Sequence, residues 1–422
     1  MHPNALLELC AELVDSLLLF DKPADALVSD FFRAHKALGQ RERHTVAETA
    51  YAVLRKRAVL QHLAQSGRGP MSRRLAILAW EGSEAFLRAA IVDEEQQWLK
   101  QVAKVDRNKL PEKLRHNLPD WMVEPLKQRL GDEEFWRLAD AVNSSAPLDL
   151  RVNLLKAKRE DVQAALKDKG FASAPTPFSP WGLRLEGKPA LQKLDVFTSG
   201  QVEVQDEGSQ LLSLLTEAKR GEMVVDFCAG AGGKTLALGA AMRNTGRLYA
   251  FDVSGHRLDR LKPRLARSGL SNVYPVQISS ERDERVKRLA GKIDRVLVDA
   301  PCSGLGTLRR NPDLKWRQSP QSIRELQDKQ FAILTSAARL LKPGGRLVYA
   351  TCSLLDAENE WVAQAFTEAQ ADFTLMPAQD VLTHAQVDAD QAAQLTDNGY
   401  LRLWPHRHQS DGFFAAVWER KK

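Results

Sequence analysis

The sequence has few cysteines and no long uncharged apolar run. Its four cysteines in 422 residues form no CxxC pair and no zinc-like spacing, which excludes a disulfide-stapled fold and indicates free thiols in a reducing cytoplasm. No stretch reaches the roughly 18 apolar residues of a membrane span. Glu8, Glu12 and Asp15 interrupt the apolar start, which lacks a basic region and so does not resemble a signal peptide. His406 and His408 have no acid or cysteine at metal-ligand spacing, and we expect no metal.

The composition is that of a globular chain. Hydrophobic residues make up 44% and charged residues 27% of the sequence, and a chain of 422 residues is long enough for two or three domains, each with its own core. The formal net charge of +6 permits a polyanionic partner without requiring one, because a solvated mixed-charge surface explains it equally well.

Three regions differ in their residue pattern. Residues 1–115 have helical periodicity almost throughout, which predicts a helical bundle with a basic side. Residues 116–205 combine a helix that opens at Asp132 with strand-like runs, which predicts a small α+β subdomain. In residues 206–422 short apolar runs alternate with helical segments, and this predicts an α/β domain whose mostly parallel sheet is buried on both faces. The runs are "MVVDFC", "RLYAFD", "NVYPVQI", "IDRVLVDA" and "GRLVYAT", with a last strand in "DGFFAAVWERK".

A glycine-rich loop, "DFCAGAGGKT", follows the first of these runs. A Walker A phosphate loop requires a glycine where Cys228 stands, and the dinucleotide fingerprint requires one where Thr235 stands. A nucleoside without a pyrophosphate remains, and S-adenosylmethionine is the common one; Asp252, at the end of the next strand, is placed to accept both ribose hydroxyls. A tight strand-to-helix turn with no ligand is the structural alternative.

Two cysteines stand just past the ends of later strands. Cys302 follows a strand that ends near Asp299, and Cys352 follows the strand "GRLVYAT". Because the carboxyl ends of parallel strands meet at one edge of a sheet, both should lie on the side of the glycine-rich loop. A free cysteine is usually a small buried hydrophobe, which is how we interpret Cys10 and Cys228. The shared position of the other two indicates chemistry.

Two thiols and a carboxylate beside a methyl donor suit one reaction. Carbon 5 of cytosine is a poor nucleophile, and a thiolate that adds to carbon 6 activates it, while an acid at ring N3 stabilises the developing charge. A base must then remove the C5 proton so that the thiol can leave. Methylation of an exocyclic amine, by contrast, needs no thiol.

Four stretches closely resemble the RsmB/NOP (NSUN) family of RNA cytosine-5 methyltransferases: "GQVEVQDEGSQLL", "VVDFCAGAGGKT", "VDAPCSGLGTLRRNPDLKW" and "LKPGGRLVYATCSLLDAENE". The N-terminal "FFRAHKALGQRERHTVAETAYAVLRKR" is similar to the NusB-like helical domain of the bacterial RsmB type. The resemblance implies a NusB-like RNA-binding domain over 1–115, an RNA-recognition subdomain over 116–205 and a Rossmann-like class I methyltransferase domain over 206–422. It also implies S-adenosylmethionine as the cofactor and RNA as the partner, and the resemblance to the bacterial RsmB type favours 16S rRNA.

The resemblance assigns roles by position. Cys352 matches the nucleophile, Cys302 the cysteine that helps release the product, Asp299 the acid at cytosine N3, and Lys234 a loop lysine near the target base. The implied cofactor site consists of the loop, the ribose acid and the residues after the third and fourth strands: Cys228, Ala229, Gly230, Ala231, Gly232, Gly233, Lys234, Asp252, Ser279 and Asp299. The sequence departs from the family pattern at Ala231, where the family has proline, and at Ser279 and Ser280, where it has an aspartate beside the adenine.

Basic residues after the "DAPC" strand are candidates for RNA contact. They could bind phosphates and stack a base, whereas a solvated charge run around a core tryptophan is the plainer interpretation; the candidates are Arg151, Arg309, Arg310, Lys315, Trp316 and Arg317. Two alternatives stay open at this point, the same chemistry on tRNA and a non-catalytic RNA-binding assembly factor that keeps the fold. We expect a monomer.

Overall fold

The computed structural model describes residues 1–422. The chain forms two compact units, one made of residues 1–145 and 307–320 and the other of residues 146–306 and 321–422. Residues 116–145, which the sequence groups with the α+β region, thus belong to the helical unit. None of the helices combines the length and the apolar character that crossing a membrane requires.

The first unit is helical. In α3 the residues Val46, Ala50, Val53 and Leu54 are at most 1% exposed, so the 3.6-residue period predicted from the sequence forms the core-facing side of the helix. The helices are α1 (Pro3–Leu17), α2 (Ala24–Ala34), α3 (Gln40–Arg55), α4 (Arg57–Ala64), α5 (Met71–Leu78), α6 (Glu84–Ala90), α7 (Asp93–Val102), α8 (Glu112–Arg115), α9 (Asp120–Leu130) and α10 (Asp132–Val142).

The second unit begins with a small antiparallel sheet in the order β2-β3-β1-β4. Its core is aliphatic and includes Leu150, Val162 and Val202, which are all fully buried. The elements are β1 (Leu148–Val152), α11 (Arg159–Asp168), β2 (Ser173–Pro175), β3 (Gly182–Leu185), α12 (Asp195–Thr198) and β4 (Val202–Val204).

The rest of this unit is an α/β domain with a nine-stranded sheet. The strands are β5 (Met223–Asp226), β6 (Arg247–Asp252), β7 (Val273–Gln277), β8 (Ile293–Asp299), β9 (Leu341–Thr351), β10 (Phe373–Met376), β11 (Thr396–Asp397), β12 (Tyr400–Leu403) and β13 (Phe413–Arg420). The helices are α13 (Glu207–Thr216), α14 (Gly233–Ala241), α15 (Gly255–Ser268), α16 (Glu284–Lys287), α18 (Pro320–Ala338), α19 (Glu360–Ala369), α20 (Ala378–His384), α21 (Ala389–Gln394) and α22 (Pro405–His408).

The strand order β11-β12-β13-β9-β8-β5-β6-β7 confirms the predicted fold class. Strands β5 to β9 pair in parallel, and β13 joins β9 antiparallel. Val224 and Val225 are consecutive in β5 but belong to two different apolar clusters, which shows that both faces of the sheet are buried. The chain runs from β5 outward to β6 and β7, then returns to place β8 on the other side of β5. This reversal opens a crevice at the carboxyl ends of β5 and β8.

A short segment between β8 and α18 belongs to the helical unit. Residues 307–320, which include α17 (Leu314–Arg317), cluster with residues 1–145. The Trp316 indole donates a hydrogen bond to the Leu54 carbonyl at 3.0 Å, and the Ala24 N–H donates to the Asp313 carboxylate at 3.2 Å. These bonds connect α17 to α3 and the residue before α17 to α2, and they anchor the segment within its unit.

Candidate active site

The glycine-rich loop after β5 adopts backbone angles that favour glycine. Gly230 has φ +55° and Gly232 has φ +83°, and a Cβ on Gly232 would lie 2.1 Å from the Leu261 side chain. Helix α14 then begins at Gly233. Glycine at position 232 is therefore required both by the turn and by the packing of the loop against α15.

Asp252 connects the ends of β5 and β6. One carboxylate oxygen accepts the Gly230 N–H at 2.8 Å and the other accepts the Ser254 N–H at 2.7 Å. A carboxylate has about four acceptor positions, so each oxygen can still accept a hydroxyl group. The loop and the predicted ribose acid are thus adjacent.

Two arginines bind carbonyl groups of the loop. Arg264 donates to the Ala231 carbonyl at 2.7 Å and pairs with Glu203 at 3.0 Å, while Arg151 donates to the Gly233 carbonyl at 2.6 Å and to Gln205. Arg151 is 3% exposed, and burial lowers its pKa to about 10. Its guanidinium holds the loop and is not at the surface, which disagrees with the expected phosphate contact.

Lys234 and Asp299 form an ion pair at the carboxyl end of β8. The ammonium lies 2.7 Å from an Asp299 oxygen. Burial acts to lower the lysine pKa, but the Asp299 carboxylate more than compensates and the pKa of Lys234 is raised. The lysine is therefore held in its charged form beside the predicted acid.

The two predicted cysteines are neighbours. Cys302 Sγ lies 3.2 Å from Cys352 Sγ, and the Cys352 N–H donates to Cys302 Sγ at 3.3 Å. The pKa of the Cys302 thiol is well above its ordinary value, first because it hydrogen-bonds to Cys352, then because of burial and of the charge of Cys352 as a thiolate. This favours Cys302 as the protonated member of the pair.

These groups face one cavity of about 730 Å³ at the carboxyl ends of the parallel strands. That volume is typical of sites for nucleoside-sized ligands. The predicted cofactor and catalytic residues on its wall are Cys228, Ala229, Gly230, Ala231, Gly233, Lys234, Asp252, Asp299, Cys302 and Cys352. Gly232 shapes the loop without lining the cavity. A carboxylate acceptor, backbone N–H donors and an apolar wall together fit the polar and apolar groups of S-adenosylmethionine.

Ser279 lies outside this cavity. Its N–H and hydroxyl both donate to Asp283, at 2.8 and 3.0 Å, and these bonds, with a further one from the Arg285 N–H, lower the pKa of Asp283 to about 2. Glu281, two residues further on, lines the cavity together with Ile278. The acid that follows β7 and lines the cavity is thus Glu281, which the sequence analysis did not single out.

The basic segment after β8 is largely occupied by structural contacts within the helical unit. Lys315 is 0% exposed, and its side-chain nitrogen donates to the Arg55 carbonyl at 2.8 Å and to Asn143 at 2.5 Å. Arg309 is also buried, Arg317 pairs with Asp313 at 3.4 Å, and Arg310 and Trp316 are half-buried. Burial of Lys315 and Arg309 disagrees with the expected contact to RNA phosphates, because neither charged group reaches the surface.

Comparison with known proteins bears on the same residues. A family model described as 16S rRNA methyltransferase RsmB/F matches residues 213–419. A protein of Synechocystis named "Probable ribosomal RNA small subunit methyltransferase B" is 36% identical over 313 residues, which are 74% of this chain and 69% of that protein. The chain belongs to the RsmB/F methyltransferase family. "Ribosomal RNA small subunit methyltransferase B" of Salmonella paratyphi C is 35% identical over 71% of this chain and 65% of its own length, so the match spans about two thirds of these relatives.

A second family model and a solved structure match further parts of the chain. A ferredoxin-like domain model of the same family matches residues 118–192. The crystal structure of PH0851 superimposes with a TM-score of 0.80 at 26% identity, and the alignment covers all of this chain and 99% of that one. The fold of the whole chain therefore has an experimentally solved counterpart.

Several residues of this RsmB/F site were not predicted from the sequence. Glu281, Arg257 and Lys329 line the cavity, Arg264 holds the loop, and Glu358 lies buried near both cysteines. These residues stand in charged stretches of the sequence that look solvated. Only Glu281 could have been predicted as a site residue, because it comes shortly after β7.

Proposed function

We propose that the chain methylates carbon 5 of a cytidine in RNA, with 16S rRNA as the substrate, through a covalent adduct between Cys352 and carbon 6 of the base. The observation that carries this proposal is the 3.2 Å separation of two thiols beside the Lys234–Asp299 pair. Methyl transfer to an amine or a hydroxyl needs neither thiol, whereas activation of a pyrimidine ring needs a nucleophile and a means of releasing it.

In the first step the Cys352 thiolate adds to carbon 6. The electrons of the C5–C6 double bond move into the ring, and negative charge develops at N3 and the adjacent carbonyl. Asp299, as a carboxylic acid, is the proposed proton donor to N3, and the carboxylate that it becomes is stabilised by the Lys234 ammonium 2.7 Å away. Stabilisation of developing charge by such preorganised groups is commonly the largest contribution to catalysis.

The cofactor S-adenosylmethionine supplies an electrophilic methyl group for carbon 5. The C5 proton must then leave before the bond from carbon 6 to Cys352 can break. Once Cys352 is bonded to carbon, its sulfur can neither hydrogen-bond to Cys302 nor repel it as a thiolate in the way that raises the pKa of Cys302. The Cys302 thiol can then release its proton to water, and the resulting thiolate is the proposed base that accepts the C5 proton.

RNA from cells with and without the gene tests this proposal. Bisulfite sequencing should show one or more 5-methylcytidines in 16S rRNA that disappear on deletion, return with the wild-type gene and do not return with Cys352→Ala. In purified form, Cys352→Ala should lower methyl transfer by about 10⁴-fold or more, since loss of a nucleophile removes the whole pathway. An unchanged RNA after deletion, or methylation by Cys352→Ala, contradicts the chemistry. A signal that disappears from tRNA only contradicts the choice of substrate.

A further inference from the structure

Glu358 is a buried carboxylate that the proposed chemistry does not use. It ends the 3-10 turn Asp356–Glu358 between β9 and α19 and is 0% exposed. No cation neutralises it; its carboxylate instead accepts hydrogen bonds from the side chains of Ser303, Ser353 and Gln330 and from the Ser303 N–H. A buried charge is costly unless it is fully hydrogen-bonded, so its position requires a reason.

The bonds of Glu358 lead to both cysteines. One carboxylate oxygen accepts the Ser303 N–H at 2.8 Å, and the other accepts the hydroxyls of Ser303 and Ser353. Ser303 directly follows Cys302, and Ser353 directly follows Cys352. A single carboxylate thus binds the residue next to each thiol, although the two serines are fifty positions apart in the sequence.

A second layer of bonds fixes the carboxylate itself. Gln330 on α18 donates to Glu358 at 3.0 Å and to the Pro301 carbonyl at 3.0 Å. The hydroxyl of Tyr349 is 2.5 Å from the Glu358 carbonyl and 3.2 Å from the Gln330 amide oxygen. Gln330, Tyr349 and Glu358 are all fully buried, so the carboxylate has little freedom to move.

We propose that Glu358 is a positioning residue that sets the distance between Cys302 and Cys352 by binding the residues that follow them. Its catalytic consequence rests on the function proposed above, because only a two-cysteine mechanism needs this distance. Charge-assisted hydrogen bonds are about twice as strong as neutral ones. A single carboxylate accepts such bonds from Ser303 and from Ser353 at the same time.

The glutamate charge has an additional effect on one thiol. The pKa of Cys302 is raised mainly by its hydrogen bond to Cys352 and by burial, and the negative charge of Glu358 acts in the same direction. Glu358 therefore favours the protonated form of Cys302 while it holds that thiol in place.

Glutamine at this position separates geometry from charge. The oxygen that faces the Ser303 N–H and Gln330 must accept, and an amide oxygen can do so. The other oxygen faces two hydroxyls, which can rotate to accept from an amide NH₂. Glu358→Gln should therefore keep most of the spacing, whereas Glu358→Ala removes every hydrogen bond of the carboxylate and Ser353→Ala releases only the Cys352 side.

Binding of phenylarsine oxide to the full-length protein, without RNA or cofactor, tests the spacing. One trivalent arsenic atom forms two As–S bonds and releases water without a redox change, so tight binding requires two neighbouring thiols. Intact-mass titration against a competing monothiol would give the affinities of the wild type, the three variants above, Cys302→Ala and Cys352→Ala. Glu368→Ala, which removes an exposed acid from α19, is the matched control.

The wild type and Glu368→Ala should bind one equivalent tightly, and the two cysteine variants should not. Glu358→Ala, which loses these hydrogen bonds, should bind the arsenical at least about tenfold more weakly than the wild type. The affinity of Ser353→Ala should fall between those two. Glu358→Gln, which retains most of the bonds, should stay within about threefold of the wild-type affinity. The proposal would be overturned if Glu358→Ala and Ser353→Ala bound phenylarsine oxide with wild-type affinity. It would also be overturned if Glu358→Gln lost as much affinity as Glu358→Ala, or if the wild type did not bind the arsenical. If Glu358→Ala does not fold, Ser353→Ala decides.

Activity distinguishes this inference from the function on which it rests. A wild type that binds the arsenical but makes no 5-methylcytidine contradicts the function and leaves the spacing role intact. In an active enzyme, Glu358→Ala should lower kcat with little change in KM for RNA, because it contacts neither ligand. Partial recovery of kcat in Glu358→Gln is the expected sign of a positioning role.

Discussion

Two lysines with little solvent exposure have opposite electrostatic environments, Lys234 with a side chain 12% exposed and Lys315 at 0%. Lys234, in the α/β unit, contacts the Asp299 carboxylate, and its pKa is raised despite burial. Lys315, in the helical unit, donates only to a backbone carbonyl and a side-chain amide, and burial, with the nearby Arg55, holds its pKa well below the ordinary value. The first lysine keeps its charge for use in a cavity, and the second anchors a segment of chain.

The difference between them is the partner and not the residue type. Both lysines follow a strand of the parallel sheet, and the sequence assigns Lys234 to the loop near the target base and Lys315 to RNA contact. A carboxylate partner raises the pKa of a buried amine, whereas neutral acceptors satisfy its hydrogen bonds without offsetting the loss of hydration. Replacing the carboxylate partner of a buried lysine by a neutral one should therefore lower the pKa of that lysine.

Removing the acid should produce the largest effect. In Asp299→Asn, burial is no longer opposed by a carboxylate, so the pKa of Lys234 should fall and its environment should resemble that of Lys315. Single-turnover methyl transfer should drop by about 10²–10³-fold, the typical loss for one preorganised charge-stabilising group. The pH dependence of Lys234 acetylation, followed by mass spectrometry, measures the pKa. A rate within a factor of a few of the wild type would exclude Asp299 from the chemistry.

Removing the second lysine should change stability and leave the cavity intact. Lys315→Met leaves the Arg55 carbonyl and the Asn143 amide oxygen unpaired, and we expect a loss of about 1–3 kcal/mol in the unfolding free energy of the helical unit. Urea unfolding followed by tryptophan fluorescence measures it. Lys56→Met, at an exposed position of the same unit, should stay within about 0.5 kcal/mol. Equal effects would show that the buried bonds contribute nothing.

The loss caused by Lys315→Met should depend on pH in a defined direction. Because the folded-state pKa of Lys315 is well below 10.5, the unfolded chain binds a proton that the folded chain has released, and wild-type stability gains from this group as pH rises towards that value. The variant lacks the gain, so its deficit should be larger at about pH 9 than at about pH 7. The raised pKa of Lys234 gives the opposite sign, a contribution present at neutral pH and lost above 10.5. A constant deficit would contradict the neutralisation of Lys315.

The smallest expected effect separates an acid from a serine, both of which follow β7. Glu281 lines the cavity and Ser279 does not. Glu281→Gln should weaken S-adenosylmethionine binding by about tenfold, the value of one hydrogen bond to a charged group, and Ser279→Ala should leave it unchanged. Titration calorimetry gives both affinities. The reverse order would restore the serine assignment from the sequence.

The sheet and the carboxyl edge that carries the site were predictable from the sequence. Runs such as "RLYAFD" match β6 (Arg247–Asp252), because continuous apolar strands are stable only between two covering layers. The parallel order then brings the ends of β5, β6, β8 and β9 together. Asp252, Asp299, Cys302 and Cys352 line one cavity for that reason.

The burial of charged side chains was not predictable. Lys315 lies in a run of basic residues, and its acceptor at Arg55 is 260 positions away, so no local pattern reports it. Glu358 stands in the acidic stretch "DAENE", which looks like the exposed start of a helix. In both cases long-range packing overrides the local preference of a charged side chain for solvent. The same holds for Arg151, which was expected to contact RNA but is buried.

Covalent capture of RNA tests the two-cysteine account most directly. Purified wild type, Cys302→Ala and Cys352→Ala would be incubated with 16S rRNA and S-adenosylmethionine, and the adducts would be resolved by denaturing electrophoresis. Cys302→Ala should accumulate a methylated covalent complex because its release stalls, the wild type should show little, and Cys352→Ala should show none. A complex that forms in Cys352→Ala, or that fails to accumulate in Cys302→Ala while product is still released, would contradict the roles assigned to the two thiols.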